Sequence, residues 1–356
     1  MPPFLQFLFR RIIAIPVSFI IITMLLYAGV MMTPPESRAA IYSPPPNNHQ
    51  TDADIARITE LNITKYHLRD PFLVQYFYWL RSVFQGTWGF SPTIREDVLP
   101  ALLRRTPATA ELTLYSVLLF IPLGLVSGVW AGWRQRRAFD NTFRFTAFVA
   151  TSFPPFILAL MFLALFYVSL RWFSPGRIDQ MFSFQIDEAA FHSFTGLYTV
   201  DALFNGRFDI FMDALRHLAM PVFTLAIYHW ATLARITRST IIAERHKEYL
   251  IAAQARGLSE GRVIWKHAFW NTLAPSFTSI ALSAASLVTG VFVVEIIYQI
   301  TGISDIIVRG MQGTPDAPAA LGFCLYSILM VLMLMFILDI LQAIFDPRIR
   351  EDIFNA

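Results

Sequence analysis

Ionisable side chains inside apolar stretches are the first candidates for chemistry, because burying a charge in lipid is costly. Five residues qualify: Glu111, His217, His229, Glu295 and Asp339. Glu111, His217 and Glu295 fall at the ends of apolar stretches, where we expect water to solvate them. Asp339 is expected to be solvated or to pair with a basic residue. His229 lies about three turns inside its stretch, so it is a candidate pathway residue, with a hydrogen bond to a neighbouring helix as the alternative.

The residue patterns of familiar catalytic sites are missing from the sequence. It contains no Gly-x-x-x-x-Gly-Lys-Ser/Thr loop for ATP phosphates and no His-Glu-x-x-His pair for zinc. Its one cysteine, Cys324, cannot form a disulfide framework or a multi-thiolate metal site. We therefore expect no catalytic residues and no cofactor or metal in this chain. Two functions that need none of these motifs stay open: a membrane-embedded enzyme that uses His217 or His229, and a passive channel.

The composition indicates a membrane protein. Of the 356 residues, 55% are hydrophobic and only 15% are charged, and six uncharged stretches approach the ~20 residues that cross a bilayer. These observations predict an all-α polytopic protein with six transmembrane helices. The candidate spans are residues 12–32, 112–131, 145–170, 217–234, 276–294 and 318–338. The first is too long for the apolar part of a signal peptide, so we expect it to be retained.

Basic residues predict the orientation. Fifteen Lys and Arg residues fall in the termini and short connections on one side of the predicted membrane and five on the other, and the richer side is expected to be cytoplasmic. Both termini, including the tail 345–356, should then be cytoplasmic in a bacterial inner membrane. The net charge of +3 gives no indication of nucleic acid as a partner.

The first connection, residues 33–106, is predicted to be an extracytoplasmic helical subdomain that precedes a transmembrane core at 107–344. Its proline-rich residues 44–48 should be irregular or extended. Residues 52–66 have helical character, and apolar residues of the segment 72–84 recur at the spacing of an amphipathic helix.

Three glycines of the second span share one helix face, because Gly124, Gly128 and Gly132 are spaced four residues apart. Small residues in such a row let another helix approach closely, which favours helix association in lipid. A contact with another subunit and packing within the chain are both compatible with the pattern.

The connection between the fourth and fifth spans, residues 241–275, combines a helix pattern with a stop signal. Strong helix formers fill 241–256, and Gly257 stands where a helix would end in the left-handed conformation. The pair Ala252 and Ala253 has little side-chain bulk, and Glu248 and Arg256 supply charges beside it. The pattern predicts a helix–turn–helix hairpin that a soluble partner could receive in a pocket.

This hairpin resembles a known motif. Ala252-Ala253-x-x-x-Gly257, with Pro275 eighteen residues beyond the glycine, is similar to the coupling loop of permeases in importers of the ATP-binding-cassette class. Further segments resemble the dipeptide, oligopeptide and nickel branch, B-type permease, of that family: residues 70–76, 86–91, 106–112, 121–124, 153–156, 213–218 and 346–350. At 298–304 the sequence lacks the proline and the second glycine that are usual in relatives.

The resemblance implies a type I importer permease that moves a small solute, with peptides as the expected cargo. It implies three kinds of protein partner besides membrane lipid: a second homologous permease, two ATP-binding subunits that hold ATP and magnesium, and an extracytoplasmic solute-binding protein, which we expect to contact residues 33–106. It also implies that Glu248, Ala252, Ala253, Arg256 and Gly257 couple the chain to the ATPase.

Overall fold

The computed structural model describes residues 3–43, 51–186, 191–312 and 316–345. Its helices are α1 (Pro3–Val30), α2 (Pro35–Ala39), α3 (Asp52–Lys65), α4 (Phe72–Phe84), α5 (Val98–Trp133), α6 (Ala138–Ser152), α7 (Pro155–Phe162), α8 (Gln180–Ile186), α9 (Tyr198–Phe204), α10 (Phe208–Arg245), α11 (Glu248–Ala255), α12 (Glu260–Arg262), α13 (Phe269–Ile297), α14 (Ser304–Gly310) and α15 (Ala317–Phe345). A 3-10 turn covers Ala40–Tyr42, and π-helical segments cover Leu163–Ser169 and Val263–Ala268. The predicted extended segment 44–48 and the predicted tail from residue 346 lie outside the described residues.

The strands of the described part form one antiparallel hairpin, β1 (Phe90–Ser91) and β2 (Glu96–Asp97), in which Phe90 faces Asp97. Five helices are long and apolar enough to cross a membrane, and a sixth span is possible if a bent pair counts as one. The prediction of an all-α membrane protein is thereby confirmed. The chain forms two compact units, one within residues 1–9, 110–300 and 333–356, the other within 10–109 and 301–332.

The third predicted span, 145–170, is not one straight helix. The helices Ala138–Ser152 and Pro155–Ser169 are bent by 99° at the break between them. The cause is local: Pro154 has no N–H to continue the helix, and a proline forces the residue before it, here Phe153, into extended backbone. Pro155 then suits the first position of the next helix.

The second unit contains the amphipathic helix that the sequence predicts. α4 has the predicted bounds, 72–84, and packs on α1 through Tyr76 and Trp79. The Tyr27 and Trp79 rings stack with centroids 5.1 Å apart, and the hydroxyls of Tyr76 and Thr23 are hydrogen-bonded at 2.8 Å. The helix predicted at 52–66 is confirmed as α3.

In this unit, α5 starts before the domain boundary that the sequence predicts at residue 107. α5 begins at Val98, directly after β2, and so takes in residues 98–106 of the predicted outer subdomain. Val98 itself is fully buried and packs with Ala319 and Ile306, which accounts for the early start of the helix.

In the first unit, the glycine face of α5 lies against α10. A Cβ on Gly124 would be 2.8 Å from Leu233 Cδ2, and a Cβ on Gly128 would be 2.6 Å from the Ala234 carbonyl oxygen. A Cβ on Gly132 would overlap Ile241. The three glycines therefore serve a contact between two helices of the same chain, at a separation that any larger residue would increase.

We predict that Gly128→Ala destabilises the protein by about 1–3 kcal/mol, because the added methyl group must displace backbone as well as side-chain atoms of α10. Gly290→Ala in α13 is the matched control, since its Cβ would meet only Leu225 Cδ2 at 4.0 Å. Thermal unfolding of the purified variants measures the effect. Equal unfolding temperatures for the two variants would contradict this prediction.

Candidate functional site

The hairpin between α10 and α13 starts with a break that the sequence did not reveal. The predicted continuous helix 241–256 is wrong, because α10 ends at Arg245 and α11 starts at Glu248. Lys247 adopts extended backbone at the start of α11 (φ −77°, ψ 144°). Its ammonium group pairs with the Glu244 carboxylate, and its backbone N–H donates to the Glu244 carbonyl oxygen at 3.0 Å. These contacts replace the helical bonds lost at the break.

The predicted turn at Gly257 is present, with the backbone at φ +74°. The N–H of Gly257 donates to the Gln254 oxygen at 2.9 Å, and the N–H of Leu258 donates to the Ala253 oxygen at 3.4 Å. This is the Schellman pattern, which satisfies the last carbonyls of a helix when a glycine follows it. A Cβ on Gly257 would meet no atom within 4 Å, so the glycine is required for the turn and not for close packing.

Four of the five predicted coupling residues lie on the surface of the hairpin: Glu248, Ala252, Arg256 and Gly257. The fifth, Ala253, is 7% exposed and faces the interior. Ile251, at 55% exposure, adds an apolar side chain to the outer surface. The exposed face thus has a small, apolar centre between an acidic and a basic residue. Such a surface suits a pocket on another protein, because small side chains allow close contact and the flanking charges fix the orientation.

Below this surface the hairpin rests on an apolar cluster. Leu250 and Val263 are fully buried and pack against the ends of α5 and α10. The buried members of the cluster are Val129, Trp133, Ile241, Leu250, Ala253, Val263, Ile264 and Ala268. Because the cluster joins α5 to three consecutive segments within residues 241–268, it packs the hairpin directly against the ends of α5 and α10.

Polar contacts that the sequence analysis missed hold α11 in place. Glu244 is 5% exposed and accepts a hydrogen bond from the Tyr249 hydroxyl at 2.7 Å. The Asn271 amide donates to the same hydroxyl at 2.8 Å, which links α10, α11 and α13. The sequence did contain a signal for the burial of Glu244, because Glu244 follows Ile241 by three residues and therefore lies on the same, buried face of α10.

A second polar contact ties the far side of the hairpin to α5. The Trp133 indole N–H donates to the Glu260 carboxylate at 2.6 Å. The Arg245 guanidinium donates to the Trp133 carbonyl oxygen at 2.8 Å and lies 5.4 Å from its ring centroid. Both sides of the hairpin are therefore anchored to the transmembrane helices.

The candidate pathway residue His229 is buried in the first unit, at 6% exposure. Its ring lies 5.7 Å from the Phe120 ring and 5.3 Å from the Tyr228 ring, measured between centroids. In this chain alone, His229 packs among aromatic rings. The group of three or more His, Cys, Asp or Glu residues that a metal ion would need does not occur among the residues that the structure describes.

The expectation that water solvates Glu111 is wrong. Its side chain is 2% exposed and pairs with the Arg177 guanidinium at 2.8 Å. Its other carboxylate oxygen accepts bonds from the Thr199 N–H at 2.8 Å and from the Thr199 hydroxyl at 2.7 Å. Arg177 also lies 3.8 Å above the Tyr198 ring. His217, 4% exposed and 3.4 Å from an Asp213 carboxylate oxygen, is likewise buried.

The connection that supplies Thr199 is fixed by a second buried carboxylate. Burial by itself raises the pKa of Asp201, but hydrogen bonds from Thr195, Ser193 and Gly196 outweigh burial and hold that pKa below its usual range. Asp201 therefore stays ionised and orders the backbone that delivers Thr199 to Glu111.

Comparison with known proteins gives a family match over most of the chain. The family model described as "Binding-protein-dependent transport system inner membrane component" matches residues 121–351. The di/tripeptide transport system permease protein of Pseudomonas aeruginosa is 30% identical over 98% of this chain and 99% of its own length. The oligopeptide transport system permease protein of Bacillus subtilis is 32% identical over 81% and 84%. The probable D,D-dipeptide transport system permease protein of Escherichia coli is 32% identical over 79% and 81%.

We predict that Tyr249→Phe loosens α11 without unfolding the protein. The change removes the hydroxyl that joins Glu244 to Asn271, and leaving a buried acceptor without its donor costs about 1–3 kcal/mol. Hydrogen exchange followed by mass spectrometry should show faster exchange across 248–257 and unchanged exchange in α13. The control is Gln254→Ala, which alters an exposed side chain of the same helix away from its first turn. Equal exchange in the two variants would argue against an anchoring role for Tyr249.

We also predict that Arg177→Ala is strongly destabilising, by about 3–5 kcal/mol, because it leaves the Glu111 carboxylate buried without its partner. Arg69→Ala is the comparison, since Arg69 and Glu60 form an exposed pair at 2.9 Å whose loss should cost about 1 kcal/mol or less. Thermal unfolding distinguishes the two, and similar losses would show that burial does not strengthen the Glu111 pair.

Proposed function

Because the chain belongs to the family of binding-protein-dependent transport system inner membrane components, we propose that it imports peptides and that its hairpin 241–275 couples transport to a separate ATPase. Membership makes the chain a permease subunit of an ATP-binding-cassette importer. Peptides are proposed as cargo because the similar permeases are named for dipeptide, tripeptide and oligopeptide transport.

One observation carries the coupling proposal: the exposed face of the hairpin has small and charged side chains, whereas its base is buried and hydrogen-bonded to α5 and α10. The surface residues Glu248, Ala252, Arg256 and Gly257 would enter a pocket of the ATPase, and Ala253 would hold α11 against the apolar cluster. A membrane subunit needs such a base, because a loop that yields under load transmits no displacement. The anchors at Glu244 and Trp133 supply that resistance.

A displacement of the hairpin would pass to α10 and α13 together. Two hydrogen bonds connect them: the hydroxyls of Thr237 and Ser276 lie 3.2 Å apart, and those of Thr224 and of Tyr298, the residue directly after α13, lie 2.9 Å apart. ATP binding and hydrolysis in the partner, with its magnesium ion, would thus move a helix pair and change access to the pathway. The chain itself couples and does not catalyse.

The assembly we propose places the hairpin and both termini on the cytoplasmic side, since the basic residues concentrate there. Two ATP-binding subunits would dock on that side, and a second, homologous permease would complete the pathway. Family membership implies a solute-binding protein, and we propose that it contacts the subdomain that follows α1. The packing of His229 among rings gives no support to the enzyme alternative.

We predict that Gly257→Trp abolishes ATP-driven peptide uptake and loses the ATPase on purification, while the second permease is retained. The indole would occupy the docking surface, and the left-handed backbone would be strained by about 1–2 kcal/mol. Gly257→Asn should preserve most of the uptake, because asparagine tolerates that conformation. Uptake in proteoliposomes and the subunits that copurify are the measurements.

Gly206→Trp is the matched control for bulk and strain. Gly206 ends α9 with φ +68°, its N–H donates to the Leu203 oxygen at 3.1 Å, and its Cβ would also meet no atom within 4 Å. This variant should keep the ATPase bound. If Gly257→Trp retains both the ATPase and normal uptake, or if both tryptophan variants lose the ATPase equally, the coupling proposal is wrong.

A further inference from the structure

A basic groove lies between α6 and α10 in the first unit and takes no part in the coupling hairpin. It has a volume of about 590 Å³. α10 contributes Arg235 and Arg238 to its wall, and α6 contributes Asn141 and Arg144. Arginines at such density usually repel one another unless an anion or a carboxylate separates them.

One of these arginines is already neutralised. Arg238 forms a two-pronged pair with Asp140, through bonds of 2.5 and 2.8 Å, and Asp140 is fully buried. Arg144 and Arg235 are exposed, and neither forms an ion pair with a residue in the described part of the chain. The groove therefore keeps two positive charges that point to an anionic ligand.

The position of the groove along the helices indicates the edge of a membrane. The apolar stretch of α10 ends immediately before Arg235. One turn away, the Trp230 indole donates to the Ser127 hydroxyl at 3.0 Å and its ring lies 6.0 Å from the Phe143 ring. Tryptophan with arginine at the end of an apolar stretch is typical of the membrane–water interface.

The apolar part of the groove continues in the direction of the bilayer. Phe145 and Phe148 line it and are 68% and 67% exposed. Phe148 is a helix neighbour of both Arg144 and Phe145, because it follows them by four and three residues. Asp140, near the start of α6, pairs with Arg238 near the hairpin end of α10, so Phe148 lies about one turn further along α6 from that end than Arg144 does.

We propose that this groove binds an anionic phospholipid of the leaflet on the hairpin side. The guanidinium groups of Arg144 and Arg235 would hold the phosphate, which arginine recognises through paired N–H donors. The acyl chains would lie along Phe145 and Phe148. A dissolved phosphate could use the arginines but would gain nothing from the two exposed rings, so the combination fits a lipid.

Native mass spectrometry of the purified chain, titrated with phosphatidylglycerol and separately with phosphatidylcholine, tests the proposal. The double variant Arg144→Gln/Arg235→Gln should bind phosphatidylglycerol about tenfold or more weakly, since each interfacial arginine contributes roughly fivefold. Its binding of phosphatidylcholine should not change. Arg134→Gln/Arg137→Gln is the control, because it removes the same charge from exposed residues outside the groove. Size-exclusion chromatography establishes that each variant is folded.

Three outcomes would overturn the proposal. Equal weakening in both double variants would mean that overall charge, and not the groove, attracts the lipid. Displacement of phosphatidylglycerol by inorganic phosphate would mean that the site takes a free anion. Loss of the bound lipid when the chain is purified within its whole transporter would mean that a protein subunit covers the groove. Selective weakening in the groove variant, with lipid retained in the assembly, would support it.

Discussion

The close contact between α5 and α10 is the constraint on which the rest of the first unit depends. Gly124, Gly128 and Gly132 allow α10 to lie against the α5 backbone over about two turns. In lipid no hydrophobic force drives two apolar helices together, so dispersion contacts at short range must supply the attraction. Trp133 follows directly after the third glycine, and the contact therefore also sets the position of the hairpin base.

The position of the hairpin on this contact is fixed by hydrogen bonds as well as by apolar packing. Apolar packing alone would let α11 slide, because it has no directional preference. Glu244 and Tyr249 add direction, since hydrogen bonds in a buried site are lost if either partner shifts. The break at Lys247 separates α11 from α10, and Glu248, Ile251 and Ala252 of α11 are exposed.

Each end of this unit contains a buried carboxylate that is paired with an arginine. Asp140 pairs with Arg238 near the hairpin, and Glu111 pairs with Arg177 near α9. Each charge would be costly to bury alone, and each is matched by a guanidinium and by further hydrogen bonds. Such pairs contribute little net stability, but removal of one partner leaves an uncompensated buried charge. At the first end, Arg144 and Arg235 remain exposed beside the pair of Asp140 and Arg238.

The sequence by itself determined the features that depend on local pattern. Apolar stretches predicted an all-α membrane protein, the spacing of Tyr76 and Trp79 predicted α4, and Gly257 predicted the end of α11. These predictions were possible because periodicity and backbone conformation are properties of short segments. Tertiary structure decided what depends on partners distant in sequence. The sequence suggested that Glu111 is solvated at the end of a helix, whereas in the folded chain it is buried against Arg177 and Thr199. The inward position of Ala253 and the groove between α6 and α10 likewise exist only once several helices meet, since burial and charge pairing are set by neighbours that sequence spacing does not specify.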